Sequence, residues 1–433
     1  MPTAAADQAR NGGQRVWIVN HYAATPADPS GTRHYALARH LVARGHAVTI
    51  FAANSGHNGG RERRLPARSL CRVEWFDDVK FVWLKTIPYR GNTWRRQLNM
   101  LSFLAVFLVV QARQSAPRTI VGSTVHPFAA FGGWLAAKHR GARFIFEIRD
   151  LWPQTLVDLG AMRVGSPGER LLRTLEAFLV RRASAVITLL PGIKDYLTER
   201  GLPTEHVVYI PNGADLPLFA ESAPTRGEPG TVTRALQEIA RLRADGRFVL
   251  GYLGAFGRVN RVDIIAEAAA VAERRAPGRV GVVLIGDGPE LPRVERLAAA
   301  NEAVGFGPAI PKTSVPRVLH ALDATVVHTT STPVYRYGIS FNKLFEYMAA
   351  ARPVVFACAS AYDPVEATGA GVTVRPDDPE RLADAFLDLA AVTPEARAAM
   401  GSAGRAYVTR EHNIEHLGET LLALIEGRLP AGR

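Results

Sequence analysis

Apolar and polar positions fall into two rhythms along this chain. Short apolar runs such as RVWIV, TIVG, VVLIG and PVVFAC read as buried strands. Between them, apolar residues recur at spacings of three and four, the signature of helices packed by one face. Residues 15–20 form the first such strand, and a turn-rich loop, HYAATPADPSG, follows. A helix is predicted over 32–44, with Tyr35, Leu37, Ala38, Leu41 and Val42 on its apolar arc; Gly45 and the run HAVTIFAAN come next. Strand, loop, helix, glycine and strand make one βαβ unit, the opening of a doubly wound sheet. The loop does not match GxGxxG, so nothing here marks a dinucleotide fold.

The same rhythm continues with a strand at 81–86, strands at 119–122 and 143–148 separated by a small-residue helix, and helices at 168–182 and 193–200. A strand then runs into the turn PNGAD, ending at Asp215. Residues 220–246 read as irregular, and the domain boundary is placed there. A second α/β half follows, with Gly loops after its strands (GYLGAFG, LIGDGPE), helices at 262–275, 291–301, 315–322 and 379–389, and a last amphipathic helix at 414–426. The expected organisation is a disordered tail at 1–14, one Rossmann-like domain at 15–215 and another at 216–408. A C-terminal helix at 409–433 packs back toward the first.

The stretch YGISFNKLFEYMAAARPVV, residues 337–355, stands apart. A glycine-containing loop enters a short helix that stops at Arg352-Pro353 and feeds a strand. Asn342 and Glu346 are four apart and share a face, whereas Leu344, Phe345, Met348 and Ala349 mark a core face. The helix start offers free N–H groups to a phosphate, and a carboxylate one turn in suits a diol such as ribose. An ordinary buried helix end with solvated polar residues would show the same spacing.

Composition sharpens this. The chain has 433 residues, too long for one ordinary core, and its 47% hydrophobic and 21% charged content are those of a soluble globular protein. Two distant cysteines, Cys71 and Cys358, support neither a disulfide framework nor a zinc site, which points to a cytoplasmic setting. Residues 1–215 hold 28 Lys and Arg against 15 Asp and Glu, so they carry the whole net charge of +12. A basic first half suits an anionic acceptor or a membrane surface. Nucleic acid is disfavoured, because the arginines are dispersed and no reading motif accompanies them. Residues 98–112 are apolar nearly all round but too short to span a bilayer. They read as a core helix, or as one inserting at a membrane interface with Trp94, Arg95 and Arg96 at the headgroups. In open parallel sheets ligands gather at the C-terminal strand ends. His126 follows one such strand, and Arg149 and Asp150 follow another.

Taken together, the opening loop with Gly31, RGHAVTIFA, FEIRDLWP, YIPNGAD, GYLGAFG, LIGDGPE and residues 337–355 resemble the retaining GT-B glycosyltransferases of family four. FEIRDLWPQ with SFNKLFEYMA is most similar to the subgroup that adds N-acetylated amino sugars in bacterial surface-polysaccharide assembly. The resemblance implies two doubly wound domains facing across a cleft. It also implies a nucleotide-sugar donor, most simply a UDP-sugar, no cofactor or metal, and a lipid-linked or other anionic acceptor, met as a peripheral protein at the inner face of the membrane. Glu346 matches the second Glu of the family's Glu-x7-Glu signature and would hold the ribose, with Asn342, Gly254, Gly286 and Gly288 also on the nucleotide. Gly338 stands where the first Glu would be. Sugar and phosphate contacts therefore fall to Gly31, Gly338, Ile339, Ser340, Phe341 and Arg261.

The family's diphosphate Arg and Lys align with Ala255 and Asn260, which leaves Arg258, Arg261 and Lys343 as substitutes. His126 resembles the family's first-domain histidine near the sugar, and Arg149 and Asp150 face the acceptor. The carboxylate pairs Asp77-Asp78 and Asp377-Asp378 read as surface turns rather than a metal site. A nucleotide-sugar epimerase, and a non-catalytic nucleotide-sugar-binding protein, remain alternatives.

Overall fold

The computed structural model describes residues 12–428 apart from 27, 29–31, 56–64, 67, 90, 92–93, 125 and 221–228. Most of the expected tail, Gly31 and much of the basic loop near residue 60 lie outside the described residues. The chain forms two Rossmann-like α/β units, each built on its own sheet. The first comprises Met1–Pro211, Tyr337–Ser340 and Ile414–Arg433; the second comprises Asn212–Arg336 and Phe341–Asn413. The division thus falls at Pro211 rather than 215. The last segment joins the first unit from Ile414 rather than 409, and Tyr337–Ser340 groups with the first unit rather than the second.

In the first unit the strands are β1 (Arg15–Val19), β2 (Ala47–Ala53), β3 (Cys71–Phe76), β4 (Val79–Leu84), β5 (Thr119–Ser123), β6 (Arg143–Ile148), β7 (Ala185–Thr188) and β8 (Val207–Tyr209). Their order is β3-β4-β2-β1-β5-β6-β7-β8, with every pairing parallel except the β3–β4 hairpin. The helices are α1 (Arg33–Ala43), α2 (Trp94–Val110), α3 (Pro127–Arg140), α4 (Gln154–Asp158), α5 (Pro167–Arg182) and α6 (Ile193–Thr198). Strand β3 has no counterpart in the sequence reading. It is a half-exposed edge strand carrying Arg72 and Glu74, so no clean apolar run announced it. The hairpin turns through Asp77 and Asp78, both at positive φ, so this acidic pair is a turn as expected.

Helix α2 covers the apolar run from 98 to 110, with 111–112 in a following 3-10 turn, but is not buried all round. Met100, Phe103, Phe107 and Val110 enter the core, whereas Trp94, Leu98, Leu101 and Val109 are exposed. No helix among the described residues is long and apolar enough to cross a membrane.

The second unit holds α7 (Gly230–Ala244), β9 (Phe248–Ala255), α8 (Val262–Arg275), β10 (Val280–Asp287), α9 (Leu291–Ala299), β11 (Val304–Pro308), α10 (Val315–His320) and β12 (Ala324–His328). After these come α11 (Asn342–Ala349), β13 (Val354–Ala357), α12 (Pro364–Thr368), β14 (Gly371–Val374), α13 (Pro379–Ala391) and α14 (Pro394–Glu411). Its six strands run β11-β10-β9-β12-β13-β14, all parallel. Three helices depart from the sequence reading, the short α12 among them. Helix α7 occupies much of the segment expected to be irregular, burying Val232, Ala235, Ile239 and Leu242 at helical spacing. Helix α14 buries Gly401, Gly404 and Val408, a face that gives little periodic signal. Thr393 caps its start by accepting from the Ala396 N–H, and Pro394 opens its first turn. A Cβ on Gly401 would collide with the Ala351 carbonyl, and one on Gly404 would crowd Met348. Only glycine allows α14 to lie this close to α11 and its exit.

The final helix, α15 (Ile414–Ile425), belongs to the first unit. It buries Leu417, Leu421, Leu424 and Ile425 in the same core as Leu37, Leu41 and Ile50. Each such side chain contributes about 2 kcal/mol on burial.

At the C-terminal ends of β1, β5 and β6 the first unit buries a polar network. Arg33 donates from Nε to Glu147 Oε1 at 3.1 Å and from its terminal nitrogens to the Pro211 and Ile210 carbonyls. The other Glu147 oxygen meets His34 Nε2 at 2.6 Å, and His34 Nδ1 meets Asn20 Nδ2 at 2.8 Å. Burial alone would raise the Glu147 carboxyl, but His34 and Arg33 hold it well below the usual carboxylate range. Arg33 therefore stays paired without water, and the network ties α1 to the chain leaving β8. Glu147→Gln leaves Arg33 buried without its counter-charge, at an expected cost of about 3 kcal/mol at pH 7. All six tryptophans lie in the first unit, so denaturant titration followed by tryptophan fluorescence reads that unit. A carboxyl held low stabilises above the unfolded value of about 4.3, so the gap between wild type and variant should narrow as pH falls below it.

Candidate functional site

In the second unit, chemistry gathers at the C-terminal ends of β9, β10 and β12 and at the start of α11. Strands β9 and β10 approach so closely there that a Cβ on Gly286 would overlap the Gly254 carbonyl. One on Gly288 would lie 2.6 Å from the Phe256 carbonyl oxygen. No side chain fits at these two positions, which leaves bare backbone at the strand ends. The loops are tied together: Phe256 N–H donates to the Asp287 carbonyl at 2.9 Å, and Glu290 N–H to the Phe256 carbonyl at 2.9 Å.

Helix α11 starts after Phe341, whose extended backbone precedes the first turn and which supplies no side-chain cap. The free N–H groups of that turn carry the helix's positive end. Asn342 occupies the first helical position and is partly exposed. Lys343 reaches toward the end of β9. Its Nζ donates to Tyr252 Oη at 2.7 Å and Asn260 Oδ1 at 2.9 Å, lies 4.4 Å from the centre of the Tyr252 ring, and borders Gly254. Tyr252 Oη in turn donates to the Ala255 carbonyl, so it is free to accept from the lysine. Two of the three ammonium hydrogens are thus committed, leaving one for a ligand oxygen. Burial pulls the Lys343 ammonium down to about 7, partly offset by Glu346.

One turn on, Glu346 is buried and paired through Oε1 with the ammonium of Lys312, from the loop after β11. Tyr347 locks the helix in place: its hydroxyl accepts from Leu253 N–H at 2.7 Å and donates to the Leu253 carbonyl at 2.9 Å. Lys312, Tyr252 and Tyr347 escaped the sequence reading. A cation in a loop after a strand's C-terminal end was the available signal for Lys312. The two tyrosines looked like ordinary core.

The candidate arginines fare differently. Arg261 sits at positive φ before α8, with its guanidinium spread over both oxygens of Asp263 and reaching Asp377 at 3.3 Å. Its guanidinium is thus engaged by two carboxylates. Asp377, expected as a plain surface turn, also accepts from Ser331 N–H at 3.0 Å and joins Arg261 to the loop after β12. Its own N–H donates to His328 Nε2, whose imidazole burial lowers to about 4. Arg258 is 92% exposed and 3.7 Å from Glu290. Of the three cations, Lys343 is the one aimed at the glycine-lined strand ends.

In the first unit, His126 precedes α3 and is fully buried rather than open to a ligand. Its Nε2 meets His21 Nδ1 at 2.8 Å, and among the described residues its Nδ1 has no partner. Burial, with Arg96 nearby, drops its imidazole to about 3, so it is neutral near pH 7. Arg149 is half-buried, and its N–H donates to Thr124 Oγ1 at 2.9 Å. Asp150 is exposed beside it. Tyr337–Ser340 also belongs to this unit. Gly338 has φ +98° and is buried with Ile339, while Ser340 is partly exposed. A glutamate at 338 would be strained, so glycine there is a backbone requirement.

Comparison with known proteins follows the same division. The description "Glycosyl transferase 4-like domain" matches residues 30–213, and "Glycosyl transferases group 1" matches residues 247–391. The putative colanic acid biosynthesis glycosyl transferase WcaI of Escherichia coli (strain K12) is 25% identical over 216 residues, which cover 49% of this chain and 51% of that relative. The chain thus spans about half the length of the curated relatives it matches. Among solved structures, sucrose-phosphate synthase from Thermosynechococcus elongatus aligns with a TM-score of 0.70 at 19% identity, covering 96% of this chain and 98% of that one. HepE of Anabaena, solved in complex with UDP-glucose, aligns at 0.66 and 14%, covering 96% and 100%. The two units therefore have the GT-B fold, with residues 30–213 similar to a glycosyl transferase 4-like domain and residues 247–391 similar to a group 1 glycosyl transferase domain.

Proposed function

We propose that this protein is a retaining glycosyltransferase that moves a sugar, most simply an N-acetylated amino sugar, from a UDP-sugar to a lipid-linked or other anionic acceptor. The observation that carries the reading is the Lys343–Glu346 pair on α11 beside the bare glycine backbone at Gly254, Gly286 and Gly288. The two matching domain descriptions, and a structural neighbour crystallised with UDP-glucose, support it.

On this reading the leaving group is a nucleoside diphosphate, and its growing charge must be met by preorganised donors. Lys343 supplies its third N–H, and the first turn of α11 supplies backbone N–H groups. Glu346 keeps one oxygen on Lys312 and offers the other to the ribose hydroxyls. Asn342 opens the same turn. The bare backbone of Gly254, Gly286 and Gly288 lets the nucleotide lie against the strand ends. The sugar falls to the backbone of Gly338, Ile339, Ser340 and Phe341. His126, neutral and buried, shapes the first unit's sheet edge rather than exchanging protons. Arg149 and Asp150 stand at that same edge and take the acceptor. The leaving phosphate receives the acceptor's proton as the new bond forms on the face it vacates.

The basic first half and the exposed Trp94, Leu98, Leu101 and Val109 beside Arg95 and Arg96 suit an acceptor embedded in an anionic membrane.

A donor screen in EDTA with labelled lipid-linked acceptors, read by nucleotide release and product mass, tests the activity. Transfer from a UDP-sugar is expected, and no release with any donor would sink the reading. Product formed without acceptor would point to an epimerase instead, and tight UDP binding with an unchanged donor would point to a binding protein. Glu346→Ala should weaken UDP binding by roughly 2 kcal/mol, about thirtyfold. Wild-type affinity should fall as pH rises through about 7, because the free Lys343 ammonium loses its proton there and a bound diphosphate recruits it. Lys343→Met should bind weakly with a flat profile across that window, as calorimetry at pH 6 and pH 9 would show. Arg95→Glu with Arg96→Glu should reduce binding to vesicles containing anionic lipid, with the wild-type signal fading in salt. Equal binding of variant and wild type would remove the membrane from the reading.

A further inference from the structure

Tyr337 opens the four-residue excursion of the chain into the first unit, between stretches of the second that end at Arg336 and resume at Phe341. Three contacts hold it there. The Gly192 N–H, just before α6, donates to the Tyr337 carbonyl at 2.9 Å. Tyr337 Oη donates to Glu199 Oε2 at 2.6 Å, just after α6. The ring stands edge-on to Tyr196 with centroids 5.2 Å apart. Tyr196 is itself fixed: it is fully buried, its hydroxyl bonds both oxygens of buried Glu176 at 2.8 and 3.0 Å, and the Arg200 guanidinium covers its ring at 4.4 Å. The fit leaves no slack, since a Cβ on Gly192 would lie 2.9 Å from both the Tyr337 Cα and its carbonyl oxygen. Tyr337 is buried, and Gly338 follows at φ +98°.

A residue gripped by backbone, hydroxyl and ring has its position set from outside its own loop. The residues after it, Gly338–Ser340, carry no charged side chain, so whatever they recognise they recognise largely by where their backbone lies. We infer that Tyr337, seated in the socket formed by Gly192, Tyr196 and Glu199, is a positioning residue for donor-sugar recognition by Gly338–Ser340, so that sugar selectivity is set from α6. This rests on the reading of Gly338–Ser340 as the sugar-facing loop given under the proposed function. The grip itself does not depend on that reading.

Two readouts separate the two. Without any donor, hydrogen exchange at the amides of 338–341 should quicken about tenfold in Tyr337→Phe and Gly192→Ala relative to wild type, with α5 and α11 unchanged. Unchanged exchange in both variants would overturn the socket, whatever the enzyme does. With two UDP-sugars that the wild type transfers, Tyr337→Phe should lose about tenfold in kcat/KM for the better donor and less for the poorer one, with UDP affinity kept within twofold. Glu199→Gln, which retains an acceptor oxygen, should keep most of the selectivity that Glu199→Ala loses. A folded Tyr337→Phe with faster exchange but unchanged selectivity would overturn the role in sugar recognition, and so would a loss shared equally by UDP and both donors. Tyr337→Phe keeps the ring and the fold, so the inference stands or falls on it even if Gly192→Ala does not fold.

Discussion

The second unit's edge depends on how one residue's backbone is satisfied. Strand β12 pairs with β9 only as far as Gly251, so on that side Leu253 has no strand to bond. A buried N–H and C=O left unpaired would each cost a kilocalorie or more. Tyr347 answers both with one hydroxyl, accepting from the first and donating to the second. The helix is thereby fixed to the point where the sheet ladder stops. Lys343 lies one turn earlier and Glu346 one residue earlier, so their reach toward Tyr252 and Lys312 is set by that same hydroxyl. The glycines at 254 and 286 complete the arrangement by letting β9 and β10 meet where side chains would have intruded.

Charge is handled in opposite ways in the two units. In the first, Arg33 and Glu147 are buried together and bonded to each other, with two backbone carbonyls each accepting a further guanidinium hydrogen. Such a buried, mutually neutralised pair holds structure. In the second, Lys343 is partly desolvated among neutral acceptors, Tyr252 and Asn260, with Glu346 as a more distant counter-charge. A cation left under-compensated in this way is poised for an anion. Arg261 shows the contrast within one loop: with Asp263 and Asp377 already on it, an arginine close to the glycine ends belongs to the scaffold.

Much of the fold was legible in the sequence because buried parallel strands are apolar on both faces and their helices are not. RVWIV, TIVG and VVLIG announce themselves, and the helix at 262–275 falls where the spacing put it. Helix α14 and strand β3 escaped notice because neither presents a clean apolar period. Helix α14 packs through Gly401 and Gly404, and strand β3 alternates charges along an edge. The candidate site was half legible. The spacing of Asn342 and Glu346 marked α11, but which cation faces the strand ends was decided by partners distant in sequence. Asn260 and Tyr252 draw Lys343 in, while Asp263 and Asp377 hold Arg261 away. His126 was placed at the right edge of the sheet, but nothing in the sequence showed that His21 would cover it.

Gly338 has a consequence for how such a chain can change over generations. Its left-handed backbone is compatible with glycine and poorly compatible with a glutamate. A lineage carrying this loop therefore does not regain an acidic side chain there by a single codon change. It would first have to rebuild the backbone around position 338, and every intermediate would carry a strained loop with no benefit yet in hand. Ile339, Ser340 and Phe341 are different, since their side chains can vary without asking the chain to turn the wrong way.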